Sequence, residues 1–210
     1  MRSGVLLAGG KSKRMLTEKG LIPLKGKPLI LWVMDELSKV VDEILVSVSS
    51  SSSTELLNLL GPSVIIIKDE RPEMGPIEGL YSAFLQARGE YVAVAPCDSP
   101  FIKREIYDFL FLKAKQKDGA VPVEGTYYEP LHAVYCRKPF LNSLARVISE
   151  GKSKPIDAYR YLKLDYINKS EIMALDPALM SFTNINTNYD MKQLNNLFYD
   201  EEKRNEKNLK

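Results

Sequence analysis

The chain alternates between short apolar runs and longer stretches of helical period, and this alternation constrains its fold more than any other feature. The pattern is typical of βα units that build a mainly parallel sheet covered by helices. Residues 91–95 are almost all apolar, as expected of a strand buried on both faces. We therefore predict an α/β fold, a single three-layer Rossmann-like domain with this strand at the centre of its sheet.

Hydrophobic periodicity and turn residues predict the other elements. Strands are predicted at residues 5–8, 44–48, 64–67, 120–123, 131–136 and 182–185. Helices are predicted at 28–41, 55–60, 77–87, 106–114, 137–149 and 155–162, and around 191–198. The chain has 210 residues, which one domain can hold, and we expect that domain to span residues 1–199. Residues 200–210 are charged at most positions and are expected to form a flexible tail.

Composition argues against several classes of function. The chain has 29 Lys and Arg against 27 Asp and Glu, with no long basic stripe, so we expect no nucleic-acid partner. No run approaches the ~20 apolar residues of a membrane span, so we expect no membrane association. Cys97 and Cys136 lie singly in apolar surroundings, without the paired spacing of a zinc site. We interpret them as reduced, buried thiols of a cytoplasmic protein.

A glycine turn follows the first predicted strand, within the sequence LAGGKSKRM at residues 7–15. Gly9 and Gly10 permit close approach of the backbone to a phosphate, and the three basic residues after them supply positive charge. The spacing does not match a P-loop, whose first glycine would fall at Val5, and it lacks the spaced glycines of a dinucleotide fingerprint. Lys19 follows as a mobile charge suited to a polyphosphate.

Asp98 comes directly after the predicted central strand, where open α/β sheets bind ligands. A lone carboxylate there suits Mg²⁺, which takes one or two protein carboxylates together with phosphate oxygens. By itself, Asp98 could equally begin a turn or cap a helix. Asp69 also follows a strand, and a helix begins near Gly75 on the same side of the sheet. These features are therefore expected to converge on one cleft.

Four motifs together resemble the nucleotidyltransferase family of the molybdenum cofactor guanylyltransferases. The motifs are LAGG at 7–10 with Arg14, Met15 and Lys19, PLKGKPLI at 23–30, GPIEGL at 75–80 and PCDSP at 96–100. The segments EPLHA at 129–133 and NINT at 184–187 also look similar to the family. The resemblance thus extends over nearly the whole chain and is densest in its first hundred residues.

The resemblance implies a fold of the nucleotide-diphospho-sugar transferase type and transfer of GMP from GTP to molybdopterin, releasing pyrophosphate. It implies a GTP site formed by Leu7, Ala8, Gly9, Gly10, Lys19, Ser47, Asp69 and Asp98. Asp98 would bind Mg²⁺ and act in catalysis with Lys19 and Arg14, and Asn184 and Asn186 would lie near the acceptor. Transient contact with cofactor-handling proteins or molybdoenzymes is also implied. His132, the only histidine, is expected on a strand in a structural role.

Two departures from the family pattern leave the substrate open. Leu16 follows Met15 where the family usually has glycine, and Ser47 stands where an asparagine can contact the nucleotide. A cytidylyltransferase or a sugar-phosphate nucleotidyltransferase of the same fold therefore remains an alternative. A non-catalytic nucleotide-binding partner protein is a further alternative from another class.

Overall fold

The computed structural model describes residues 1–8, 18–69, 71, 74–187 and 189–190. The predicted glycine turn with Gly9, Gly10 and Arg14, the predicted helix around 191–198 and the predicted tail at 200–210 lie outside the described residues.

The strands and helices alternate along the described chain. The strands are β1 (Arg2–Leu7), β2 (Pro23–Leu24), β3 (Lys27–Pro28), β4 (Glu43–Ser49), β5 (Ile65–Asp69), β6 (Tyr91–Pro96), β7 (Gly119–Glu124), β8 (Tyr127–Tyr128), β9 (Ala133–Cys136) and β10 (Leu164–Asn168). The helices are α1 (Leu29–Leu37), α2 (Thr54–Leu60), α3 (Pro76–Gln86), α4 (Arg104–Ala114), α5 (Arg137–Ser149) and α6 (Lys169–Ile172). Short 3₁₀ helices span Lys19–Leu21, Pro155–Tyr161 and Met180–Phe182.

Within the described part of the chain, one sheet has the strand order β10-β7-β9-β6-β1-β4-β5, with β8 paired to β7. Strand β6 is its middle strand, which confirms the predicted position of that strand. Strands β6, β1, β4 and β5 are mutually parallel, whereas β9 runs antiparallel to β6 and to β7. The carboxyl ends of the parallel strands and the amino end of β9 therefore meet at one edge of the sheet.

Successive strand residues alternate between two apolar clusters on opposite faces of the sheet, as the period of a β-strand requires. Leu6 packs with residues of α1, α2 and α4, while the adjacent Val5 packs with residues of α3 and α5. On the second face the rings of Tyr135 and Phe140 stack at 3.8 Å between centroids. Helices thus cover both faces, and the predicted three-layer α/β architecture is confirmed.

Residues 49–53 are a run of serines that leads into α2, and the last of them caps the helix. The Ser53 hydroxyl accepts a hydrogen bond from the amide of Leu56 at 3.2 Å and so caps the first turn. The amide of Ser53 in turn donates to the carboxylate of Glu18 at 3.1 Å. This contact links the segment that carries Lys19 to the end of β4.

The carboxyl-terminal third differs from the sequence prediction. The predicted strand at 182–185 is wrong, because Met180–Phe182 forms a 3₁₀ helix and the residues after it pair with no strand. Ile185 is apolar because it packs with Ile22 and Leu24, and its amide donates to the carbonyl of Asp98 at 2.8 Å. Strand β10, which the sequence analysis did not predict, forms the edge of the sheet instead.

Two further elements differ from the prediction: the predicted helix at 28–41 is shorter, and the predicted helix at 155–162 is the 3₁₀ helix Pro155–Tyr161. Helix α1 begins at Leu29, because Pro28 belongs to β3, and it ends at Leu37. Among the described residues, no helix combines the length and the apolar character needed to cross a membrane.

Candidate functional site

A cavity of about 190 Å³ opens at the carboxyl edge of the sheet. It lies beside the end of β1, which has β4 on one side and β6 on the other. This is the switch point of the strand order, where open α/β sheets bind ligands. Its lining residues come from strand ends, from the start of α3 and from two loops: Leu7, Lys19, Ser47, Asp69, Gly75, Pro76, Gly79, Pro96, Cys97, Asp98 and Leu131. Five of the residues predicted for the GTP site thus share one cavity. Ala8 is not in the lining, and its amide donates to the carbonyl of Ser47 at 2.8 Å.

Lys19 and Asp98 form an ion pair in this cavity. Lys19 begins a 3₁₀ helix and Asp98 follows β6, so the two residues reach the cavity from different parts of the fold. The ammonium Nζ donates to Oδ2 of Asp98 at 2.6 Å and to Oδ1 of Asn186 at 2.5 Å. Asp98 is only 7% exposed, so water screens this charge weakly. The pair places a cation and an anion side by side in the cavity.

Asp98 is also a candidate ligand for a metal ion in the cavity. Among the residues that the structure describes, no three His, Cys, Asp or Glu side chains cluster closely enough to hold a metal ion. The cavity lining holds two carboxylates, Asp69 and Asp98, which suits a cation that takes most of its ligands from water and substrate phosphates. The donor set therefore fits a divalent ion that arrives with a nucleotide.

Ser47 and Asp69 form the opposite wall. The Ser47 hydroxyl, at the end of β4, donates to Oδ1 of Asp69 at 2.6 Å, and both side chains are buried. Burial raises the pKa of Asp69, the hydrogen bond from Ser47 lowers it, and the negative charge of Glu78 raises it further. Glu78 is itself buried and accepts a bond from Nη2 of Arg71 at 2.8 Å. A buried carboxylate is thus held in a fixed orientation at the cavity wall.

Gly79 allows helix α3 to approach this wall. A Cβ atom at Gly79 would lie 2.5 Å from Oγ of Ser47 and 3.2 Å from Cδ2 of Leu7, closer than side chains pack. The helix begins after Gly75, whose φ of +70° favours glycine, and Pro76 occupies its first turn. Sequence analysis placed Gly79 in a family motif but not among the site residues, because its steric role depends on distant side chains.

Asn184 and Asn186 lie outside the cavity lining, but Asn184 is bonded to the turn that carries Asp98 and Asn186 is bonded to Lys19. Ser99 Oγ donates to Oδ1 of Asn184, and Asn186 accepts from Lys19. The backbone bond from Ile185 to Asp98 lies between these two contacts. Sequence analysis did not select Ser99 as a site residue, although its hydroxyl directly follows Asp98 in the sequence.

His132 contacts the same turn from a third direction. It lies in a bend just before β9 rather than on the strand, and its Nε2 is 3.2 Å from Oγ of Ser99. Burial lowers the pKa of His132 to about 4; a side-chain hydrogen bond with Asn184 acts in the opposite direction, and the nearby charge of Lys169 lowers the pKa further. Ser99 is 0% exposed and its proton is engaged by Asn184, so the Ser–His contact is not a nucleophilic pair.

The two cysteines are free. Cys97 is buried, as predicted, and burial raises the pKa of its thiol to about 12, so it is an inert packing residue. Cys136 is only partly buried.

A doubly wound sheet with a paired lysine and aspartate at its switch point defines a nucleotide-binding α/β protein of the transferase type. Comparison with known proteins agrees with this class. The family model of the MobA-like NTP transferase domain matches residues 4–164. The chain belongs to the MobA-like NTP transferase family, and it is a nucleotidyltransferase.

Individual relatives and solved structures support the same family. A probable molybdenum cofactor guanylyltransferase from Methanosarcina acetivorans is 37% identical, covering 92% of this chain and 89% of the relative. One from Thermococcus sibiricus is 34% identical, covering 91% and 96%. The structure of molybdopterin-guanine dinucleotide biosynthesis protein A from Archaeoglobus fulgidus is 28% identical, with a TM-score of 0.79 over 95% of this chain and 100% of that one. A 4-diphosphocytidyl-2C-methyl-D-erythritol synthase from Anaerococcus prevotii, 12% identical with a TM-score of 0.72 over 94% and 96%, shares the fold.

Proposed function

We propose that this protein transfers GMP from GTP to the phosphate of molybdopterin, releasing pyrophosphate and forming the guanine dinucleotide form of the molybdenum cofactor. Relatives named for this activity cover nine-tenths of the chain, whereas the 4-diphosphocytidyl-2C-methyl-D-erythritol synthase shares only the fold. The observation that carries the proposal is the Lys19–Asp98 pair, at 2.6 Å, in a cavity at the switch point of the sheet.

Each cavity wall suits one part of GTP in this proposal. The carboxyl group of Asp69, oriented by Ser47, can accept hydrogen bonds from the guanosine part. The end of β1 at Leu7 and Ala8, continued by Gly9 and Gly10, would lie beside the phosphates, although the amide of Ala8 is engaged by the carbonyl of Ser47. Arg14 and Lys19 would add positive charge there, and Asn184 and Asn186 would lie on the acceptor side.

The reaction needs positioning more than proton transfer. An ionised oxygen of the acceptor phosphate attacks the α-phosphorus of GTP in line, forming a new P–O bond while the bond to the bridging oxygen of pyrophosphate breaks. Asp98 would hold Mg²⁺, which when bound neutralises charge on the triphosphate. Lys19 offsets the negative charge that moves onto the leaving pyrophosphate, and the rigid turn at Asp98 holds the reacting groups in line.

The same proposal places the protein in the cytoplasm, with GTP and molybdopterin as its small-molecule partners. Free cysteines such as the buried Cys97 fit a reducing compartment.

The test is a product assay with the nucleotide varied. Purified protein is incubated with molybdopterin, Mg²⁺ and GTP, CTP, ATP or UTP, and both pyrophosphate and the dinucleotide are measured. We expect both products with GTP and at least about tenfold less with the other nucleotides, because a hydrogen-bonding site rejects a poorly matched base. A preference for CTP would overturn the guanylyl assignment, and binding of GTP without pyrophosphate release would favour a non-catalytic protein.

A further inference from the structure

Three segments that are distant in sequence meet beside the candidate metal ligand. They are the turn at residues 98–99, the segment 184–186 and the bend at His132. The first two share a backbone bond, and the side chain of Ser99 lies where all three converge. Sequence separations of 33 and 85 residues show that these contacts are tertiary rather than local.

The hydrogen bonds of Ser99 fix the role of His132. A serine hydroxyl has one proton, and Ser99 gives it to Oδ1 of Asn184, which can only accept. With that proton on Asn184, the contact of Ser99 with His132 at 3.2 Å is satisfied by the Nε2–H tautomer, in which His132 donates. Histidine thus acts as a neutral donor whose loss would leave the Ser99 oxygen without this bond.

The fold holds the imidazole rigidly in that orientation. His132 is 5% exposed, and its amide donates to the carbonyl of Glu129 at 3.1 Å. Its ring packs against Phe182 at 5.4 Å between centroids, just before the segment that carries Asn184. Because β9 is antiparallel to β6, the bend at its amino end lies at the same edge of the sheet as Asp98.

We propose that His132 is a positioning residue, which donates through Nε2–H to Ser99 and thereby holds the acceptor segment 184–186 in register with Asp98. The kinetic effect expected of His132 rests on the proposed function, in which Asn184 and Asn186 lie on the acceptor side. Loss of the donor should therefore affect the acceptor and the rate of transfer, while the guanosine wall formed by Ser47 and Asp69 is unaffected.

The first test needs no activity, because His132 is the only histidine in the chain. Long-range ¹H–¹⁵N NMR of protein without a histidine tag should show the neutral Nε2–H tautomer, with an Nε2 proton protected from exchange. The side-chain amide resonances of Asn184 should shift in His132→Ala and return towards wild type in His132→Gln. An Nδ1–H tautomer, or Asn184 resonances that do not respond, would overturn the proposal even if the protein proved inactive.

The second test is kinetic and uses three variants. In His132→Ala we expect kcat/KM for molybdopterin to fall about tenfold or more, with KM for GTP changed less than about twofold. His132→Gln, whose amide can supply a similarly placed donor, should recover most of the loss. Val147→Ala, a buried substitution in α5 that is not in the cavity lining, controls for general destabilisation at matched melting temperature. Equal losses for both substrates, or an equal loss in the control, would show a merely structural histidine.

A double-mutant cycle decides whether the effect passes through Ser99. If both residues act through the same hydrogen bond, His132→Ala combined with Ser99→Ala should be no worse than the poorer single variant, instead of about a hundredfold impaired. Multiplied losses in the double variant would mean that the two residues act independently and would refute the coupling. If wild-type protein formed no dinucleotide, the proposed function would fail, while the NMR result would still decide the contact.

Discussion

Replacing Gly79 by alanine tests whether the close approach of α3 is needed for nucleotide binding. The new Cβ would lie 2.5 Å from Oγ of Ser47, so the hydroxyl must rotate away and break its 2.6 Å bond to Asp69. A buried carboxylate that loses such a donor costs about 1–3 kcal/mol. If binding requires the oriented carboxylate, Kd for GTP should rise by a factor of about 10–100.

The effect on stability is expected to be small, which separates it from the effect on binding. Alanine is favoured over glycine within a helix by about 1 kcal/mol, and this gain offsets part of the lost hydrogen bond. The melting temperature of Gly79→Ala should therefore change by only a few degrees. Isothermal titration calorimetry with GTP and Mg²⁺ and thermal unfolding measure the two quantities separately, with Gln86→Ala at the exposed end of α3 as the control.

A second substitution tests whether the effect of Gly79→Ala on GTP binding passes through Ser47. In Ser47→Ala the clashing oxygen is absent, so adding Gly79→Ala should weaken GTP binding by no more than about twofold further. If Gly79→Ala were as damaging in that background as in wild type, the proposed chain from Gly79 through Ser47 to Asp69 would be wrong.

Three further predictions follow from the charges of the site. Asp98→Ala should abolish pyrophosphate release, and a full rate with Mg²⁺ in that variant would refute its role. Because the pKa of Asp69 is raised above 3.8, GTP affinity should fall as the pH drops towards that raised pKa, whereas Asp69→Asn should lack this component when calorimetry is repeated across the range. The unfolded state takes up a proton on His132 near pH 6.5 and the folded state only near 4, so the free energy of unfolding should fall by up to about 3 kcal/mol as the pH drops between these values. His132→Gln should remove that component in urea titrations, and unchanged pH profiles would contradict it.

Most of the fold could be predicted because local patterns and tertiary packing agree. The central strand is apolar on both faces, and α5 was predicted with its observed bounds because its apolar face has a clear helical period. Strand β10 was missed because its sequence, LDYIN, is short, half polar and only partly buried at the edge of the sheet. The wrong strand at 182–185 arose because an apolar Ile185 fills a small cluster beside the site rather than a sheet position.

The candidate site also has residues whose position could be predicted from the sequence and residues whose role could not. The position of Asp69 and Asp98 at strand ends could be predicted, since parallel strands bring their carboxyl ends to one edge. The function of Gly79 and the bonds of Ser99 could not, because each depends on side chains more than 30 residues away in sequence. His132 was expected to be structural, and its donor role became apparent only from the proton count at Ser99.

Because β9 runs antiparallel to β6, the cleft is bordered by a strand-to-strand connection, which βα units alone do not form. In a purely parallel sheet every loop at the ligand edge leads from a strand into a helix, so a change in loop length displaces a helix. The stretch between β8 and β9 instead joins two strands and ends at the cleft. Insertions or deletions there would leave the nucleotide half of the framework in place. Enzymes of this architecture could therefore acquire different acceptors by remodelling the connection between these two strands, which makes residues 129–132 the place to begin when engineering a new acceptor.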